Sequence, residues 1–223
     1  MFKKIFLSPF FMPVAFIVLW LALMGGIFGC CADDLLSQTE DGAMVDVLAK
    51  CGYLLLISLL FVWADDFSDK VRSWGIYIFL TMGCFLRESG IQHHLSTTDS
   101  TPFKSRFFLN PDNPVYEKII YGMVLLLVGG CVVYLGIKYA KHLVKSFFKL
   151  DTLTWSIAVL CTVGVAMKII DRFPSNYKHA HHVRLSDSAY ALSQLMEETG
   201  EMFLPYIAIA ILVQYHLLRK GTR

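Results

Sequence analysis

Charge is scarce in this chain: Asp, Glu, Lys and Arg make up 17% of its 223 residues, against 56% hydrophobic residues, and the mean hydropathy is +0.54. A soluble core of this length could not bury so much apolar surface. The composition therefore excludes a soluble globular domain and implies a polytopic membrane protein. The six cysteines, Cys30, Cys31, Cys51, Cys84, Cys131 and Cys161, contain no C-x-x-C pair. That absence removes a redox dithiol and a thiolate zinc site and leaves buried structural thiols as the reading. Also missing are a G-x-S-x-G elbow, a Walker A loop and a dinucleotide G-x-G-x-x-G, so hydrolase, nucleotide and dehydrogenase chemistry of the soluble type has no support. The net charge of +2, with the basic residues lying between apolar segments, gives nucleic acid nothing to bind. His142 and His216 lie towards span ends, away from mid-membrane, where paired haem ligands would be needed. No internal repeat, low-complexity tract or soluble domain interrupts the pattern.

What is present is a set of apolar runs. They predict an all-α, polytopic integral membrane protein in which about six transmembrane helices form one bundle and residues 1–223 one domain. The expected spans are Phe10–Cys31, Val45–Trp63, Trp74–Glu88, Ile119–Tyr139, Leu153–Arg172 and Ser188–Leu218. Their apolar cores are near the roughly 20 residues a bilayer requires, that of the last running from Met202 to Leu218. The third is purely apolar only to Leu86, and reaches a useful length by continuing through Arg87 and Glu88. Lys3 and Lys4, the run Lys138, Lys141, Lys145 and Lys149, and Arg219, Lys220 and Arg223 place both termini in the cytoplasm by the positive-inside rule, in a cell membrane read as a bacterial inner membrane. A secretory signal is the competing reading of the first run, but the bulky Phe28 and the run's length favour an uncleaved helix. The Ser96–Asn113 stretch reads as an external loop, where Phe103, Phe107 and Phe108 alternate with Lys104 and Arg106.

The ionisable residues are concentrated at span ends. Six crossings put the ends of the third and fifth spans and the start of the sixth on one side, so Arg87, Glu88, Lys168, Asp171, Arg172, Glu197, Glu198 and Glu201 can converge there. Charges near hydrocarbon are costly unless paired or functional, and this cluster is the candidate site. Glu201 is the most telling member, because Met202, Phe203 and Leu204 follow it and Pro205 can kink the helix. Lys168, Asp171 and Arg172 are spaced by three and four, which an intrahelical salt bridge explains.

Three classes of function fit these residues. In the first, an enzyme acts on a lipid or lipid-linked substrate. Glu88, Glu197 and Glu201 are its catalytic carboxylates, and Arg87, Asp171 and Arg172 hold the substrate. Glu88, His93, His94, Glu198 and Glu201 would supply hard and borderline ligands for a divalent metal ion. In the second, nearly level with it, a non-catalytic accessory or immunity-type membrane protein uses the cluster as a salt-bridge network beside a membrane protein partner. A proton- or ion-coupled carrier ranks behind both, because no charge sits mid-span. Five carboxylates against three cationic side chains leave an acid excess for a cation, a proton or a basic group to neutralise.

Overall fold

The computed structural model describes residues 2–31, 43–67, 73–91 and 105–221, and these are helix and turn with no strand. The helices are α1 (Phe2–Phe6), α2 (Phe11–Cys31), α3 (Met44–Val62), α4 (Gly75–Glu88), α5 (Ser105–Leu109), α6 (Val115–Phe147), α7 (Thr152–His181) and α8 (Asp187–Gly221). Five of them, α2, α3, α6, α7 and α8, are long and apolar enough to cross a membrane. The fourteen residues of α4 measure about 21 Å at 1.5 Å per residue, short of a hydrocarbon core of about 30 Å. Arg87 and Glu88 lie in its last turn.

The described cysteines are not buried, contrary to the expectation above. Cys30, Cys51, Cys84 and Cys161 are exposed and Cys131 is half-exposed. They stand on helix faces shared with exposed Leu, Ile, Val and Phe side chains, where a small apolar thiol is as compatible with lipid as with a core.

The chain divides into two compact units, residues 1–59 with 146–223, and residues 60–145. In the first, α7 and α8 form an antiparallel hairpin on which α2 and the start of α3 pack. Its ends are set by local chemistry. The Asp151 carboxylate accepts the Thr154 N–H at 3.0 Å and caps α7, while Ser186 Oγ accepts the Ala189 N–H at 3.4 Å at the start of α8. His182, at φ 55°, takes the left-handed conformation that stops α7.

Two apolar clusters fill the unit. One gathers Ile27, Val45, Ala49, Leu195 and Met202; the other gathers Met12, Val163, Met167 and Ile207. Small residues permit the closest approaches. A Cβ on Gly200 would collide with Met167, and one on Gly52 would lie 2.8 Å from the rigid Pro205 ring.

Polar groups within the unit are matched in pairs. Gln214, fully buried, accepts from Ser156 Oγ at 2.7 Å and donates to the Phe6 carbonyl at 2.9 Å. Thr152 donates to the Leu7 carbonyl at 2.6 Å. These bonds tie the segment before α2, the start of α7 and the end of α8 together at one end of the unit. The opposite end holds Ile27 of α2, Val45 of α3 and Leu195 of α8.

In the second unit, Trp74 donates its indole N–H to the Leu60 carbonyl at 2.7 Å and stacks edge-on against Phe61, fixing the start of α4 against the end of α3. Phe107 of α5 is fully buried beside Tyr121 of α6, and its carbonyl accepts the Asn113 amide at 2.7 Å.

Candidate functional site

Lys168, on α7, is the centre of the cluster in the first unit. Its Nζ lies 2.7 Å from Glu201 Oε1, 3.8 Å from Glu197 Oε1 and 3.7 Å from Asp171 Oδ2. The first two carboxylates come from α8, four residues apart on one face, and the third comes from the next turn of α7. The short contact therefore crosses between helices. An intrahelical pair is not the main interaction, because Asp171 Oδ2 stands a full ångström farther away than Glu201 Oε1. The Glu201 side chain is 8% exposed and that of Lys168 47% exposed. The carboxylate is thus nearly withdrawn from solvent while the lysine side chain stays half-exposed.

The backbone around the pair explains why α7 and α8 meet there. Pro174 has no N–H, so the Ile170 carbonyl loses its helical donor, and the Ser193 hydroxyl of α8 approaches it at 3.4 Å instead. Pro205 deprives the Glu201 carbonyl of its own i+4 donor in the same way, although α8 runs on without a break from Asp187 to Gly221. Gly200, next to Glu201, lets Met167, next to Lys168, close against α8. The two ion-pair residues are carried together by the tightest contact of the hairpin.

A third helix joins at this level. Trp20 of α2 donates its indole N–H to Thr199 Oγ1 at 3.0 Å, and the fully buried Thr199 hydroxyl donates to the Leu195 carbonyl at 2.6 Å. Neither residue stands out in a reading of charge. The available signal was the indole N–H within an apolar run, which needs an acceptor when buried.

Of the residues expected at the site, Asp171, Glu197 and Glu201 come together around Lys168. Arg172 is exposed on α7, and Glu198 is half-buried on α8 outside the set of carboxylates that contact Lys168. Arg87 and Glu88 belong to the second unit. His93 and His94 lie outside the described residues. Among the described residues, no three His, Cys, Asp or Glu side chains are placed to hold a metal ion. Where two of the acids of the proposed chemistry, Glu197 and Glu201, approach each other, the position a cation would occupy is taken by the Lys168 ammonium.

The arrangement makes the two halves of the ion pair unequal. Lys168→Met leaves a carboxylate that is 8% exposed without its nearest cation, whereas Glu201→Gln leaves a half-exposed ammonium that keeps two other carboxylates. Thermal unfolding in detergent should therefore show a loss of about 1–3 kcal/mol for Lys168→Met, below the value for a fully buried pair because the lysine is partly solvated. A smaller loss is expected for Glu201→Gln, and recovery in Lys168→Met/Glu201→Leu. Equal losses in both single variants would count against this geometry. The chain matches no family model, no curated protein and no solved structure.

Proposed function

We propose that the chain is a non-catalytic multi-pass membrane protein in which the acid and base cluster is a structural ion-pair network, and in which the α7–α8 hairpin is the element offered to a membrane protein partner. The observation that carries this reading is the 2.7 Å contact between Lys168 Nζ and Glu201 Oε1. The acid excess seen in the sequence invites an external cation, and here an internal one stands against Glu201, the most buried of the three carboxylates around it. A carboxylate held by an ammonium at this distance is a poor general base and a poor metal ligand until the lysine leaves.

The length of the hairpin supports a presenting role. Beyond the ion pair α7 continues to His181, and α8 begins at Asp187. Each arm thus extends about 20 Å past the pair at 1.5 Å per residue. Lys168 itself lies about 24 Å along α7 from Thr152, near the far boundary of a hydrocarbon core of about 30 Å. The arms beyond it carry Lys178, His179, His181, Asp187 and Ser188, all exposed.

Elemental analysis of the detergent-purified protein tests the reading. Wild type and Glu201→Gln should both contain metal well below one equivalent. One equivalent in the wild type that disappears in Glu201→Gln would replace this proposal with a metal-dependent enzyme.

The proposed topology has six crossings of a bacterial inner membrane, with both termini in the cytoplasm. Its support is parity. The chain leaves the first unit at the end of α3 and returns at the start of α7, and contacts within that unit put both points at the end where Gln214 meets Phe6. A single crossing by α6 would return the chain to the wrong side. We take α4, an apolar helix, as the second crossing that would bring the chain back. Cysteines placed at Lys4 and Lys220 in a cysteine-free background should both be blocked by an impermeant thiol reagent only after the membrane is opened. Labelling of one terminus in intact cells would show five crossings.

A further inference from the structure

The second half of α6 carries Lys138 beside two hydroxyl groups. The apolar stretch of this helix runs from Ile119 to Ile137 between Lys118 and Lys138, about 28 Å of hydrocarbon-length helix at 1.5 Å per residue. Lys138 therefore stands where the helix leaves the hydrocarbon. Its Nζ is 3.1 Å from Ser73 Oγ and 5.4 Å from the ring centroids of both Tyr134 and Tyr139. The Tyr139 hydroxyl is 3.3 Å from the same Ser73 oxygen. Ser73 is buried and Lys138 exposed, so the hydroxyls are fixed while the ammonium opens outward.

Lys141 and Lys145 continue the stripe at helical spacing and are exposed, and no Asp or Glu occurs between Glu117 and Asp151. The adjoining face of the same helix carries Val133, Ile137 and Val144, exposed at 59%, 77% and 63%. A basic stripe with donor hydroxyls thus borders an apolar stripe that points into lipid. An anionic protein surface would match the lysines but leave the apolar stripe below them unexplained. A phosphate carrying acyl chains matches both.

We propose that this end of α6, with Ser73, is a binding site for an anionic phospholipid. The phosphate rests on Lys138 and the hydroxyls of Ser73 and Tyr139. Lys141 and Lys145 meet further headgroup charge, and the acyl chains lie along Val133 and Ile137. The proposal is independent of the α7–α8 ion pair.

The test uses the full chain reconstituted in phosphatidylcholine vesicles with or without phosphatidylglycerol, re-extracted in mild detergent and weighed intact by native mass spectrometry. Phosphatidylglycerol should be retained in preference to phosphatidylcholine. Retention should fall about fivefold in Lys138→Gln, the size expected for one lysine near an anionic headgroup, and by more in Lys141→Gln/Lys145→Gln, which removes two. Ser73→Ala/Tyr139→Phe, which leaves every charge in place, should also weaken retention, and it keeps the test decisive if Lys138→Gln fails to fold. Equal retention of the two lipids, or wild-type retention in Lys138→Gln and in the hydroxyl variant, would overturn the proposal. So would displacement of the lipid by inorganic phosphate alone, which would make this a site for the free anion.

Discussion

A carboxylate 8% exposed at the edge of an apolar slab has to be neutralised, and in this chain Lys168 does it for Glu201 across the gap between α7 and α8. Much of the first unit is arranged so that this contact can form. Gly200 lets the helices approach, Met167 fills the contact, and Trp20 and Thr199 fix α2 at the same level. At the opposite end of the hairpin the neutral pair Ser156 and Gln214 repeats the arrangement and takes in the Phe6 carbonyl. Two polar contacts, one charged and one neutral, define the register of α7 against α8, and apolar packing fills the space between them. In lipid, where apolar side chains gain little from meeting each other instead of acyl chains, such contacts carry much of the specificity of helix pairing.

Proline contributes to the same logic. Pro174 and Pro205 each remove a backbone donor from a long helix, and the carbonyls left without it, of Ile170 and Glu201, lie within one turn of the ion-pair level. The Ile170 carbonyl is met by Ser193 from the other helix, so a defect in one hydrogen-bond ladder becomes an interhelical contact. A proline that would weaken an isolated helix here helps to pair two of them.

The helical class and five of the apolar segments were legible in the sequence, because hydropathy over about 20 residues is a strong signal that tertiary context rarely overrides. The boundaries were less so. The start of α8 at Asp187 falls one residue before the expected Ser188, whereas α7 continues nine residues past the expected Arg172 to His181, in polar helix that no hydropathy window registers. The charged residues at these ends were visible as unusual, yet their partners were not. Spacing within one helix favoured Lys168 with Asp171, while the shorter contact, with Glu201, depends on how α7 and α8 face each other. Trp20 and Thr199 carried no charge to draw notice. Cysteines on apolar runs looked like core, because a sequence does not distinguish a face turned to protein from one turned to lipid.

The most direct measurement of the central claim is the distance distribution between spin labels at Ser175 and Tyr190, one on each arm of the hairpin, by pulsed electron resonance in bilayers. If the ion pair holds the arms in register, the wild-type distribution is narrow, Lys168→Met broadens it, and Lys168→Met/Glu201→Leu narrows it again. An equally narrow distribution in Lys168→Met would contradict the account and leave the Lys168–Glu201 contact without a structural role.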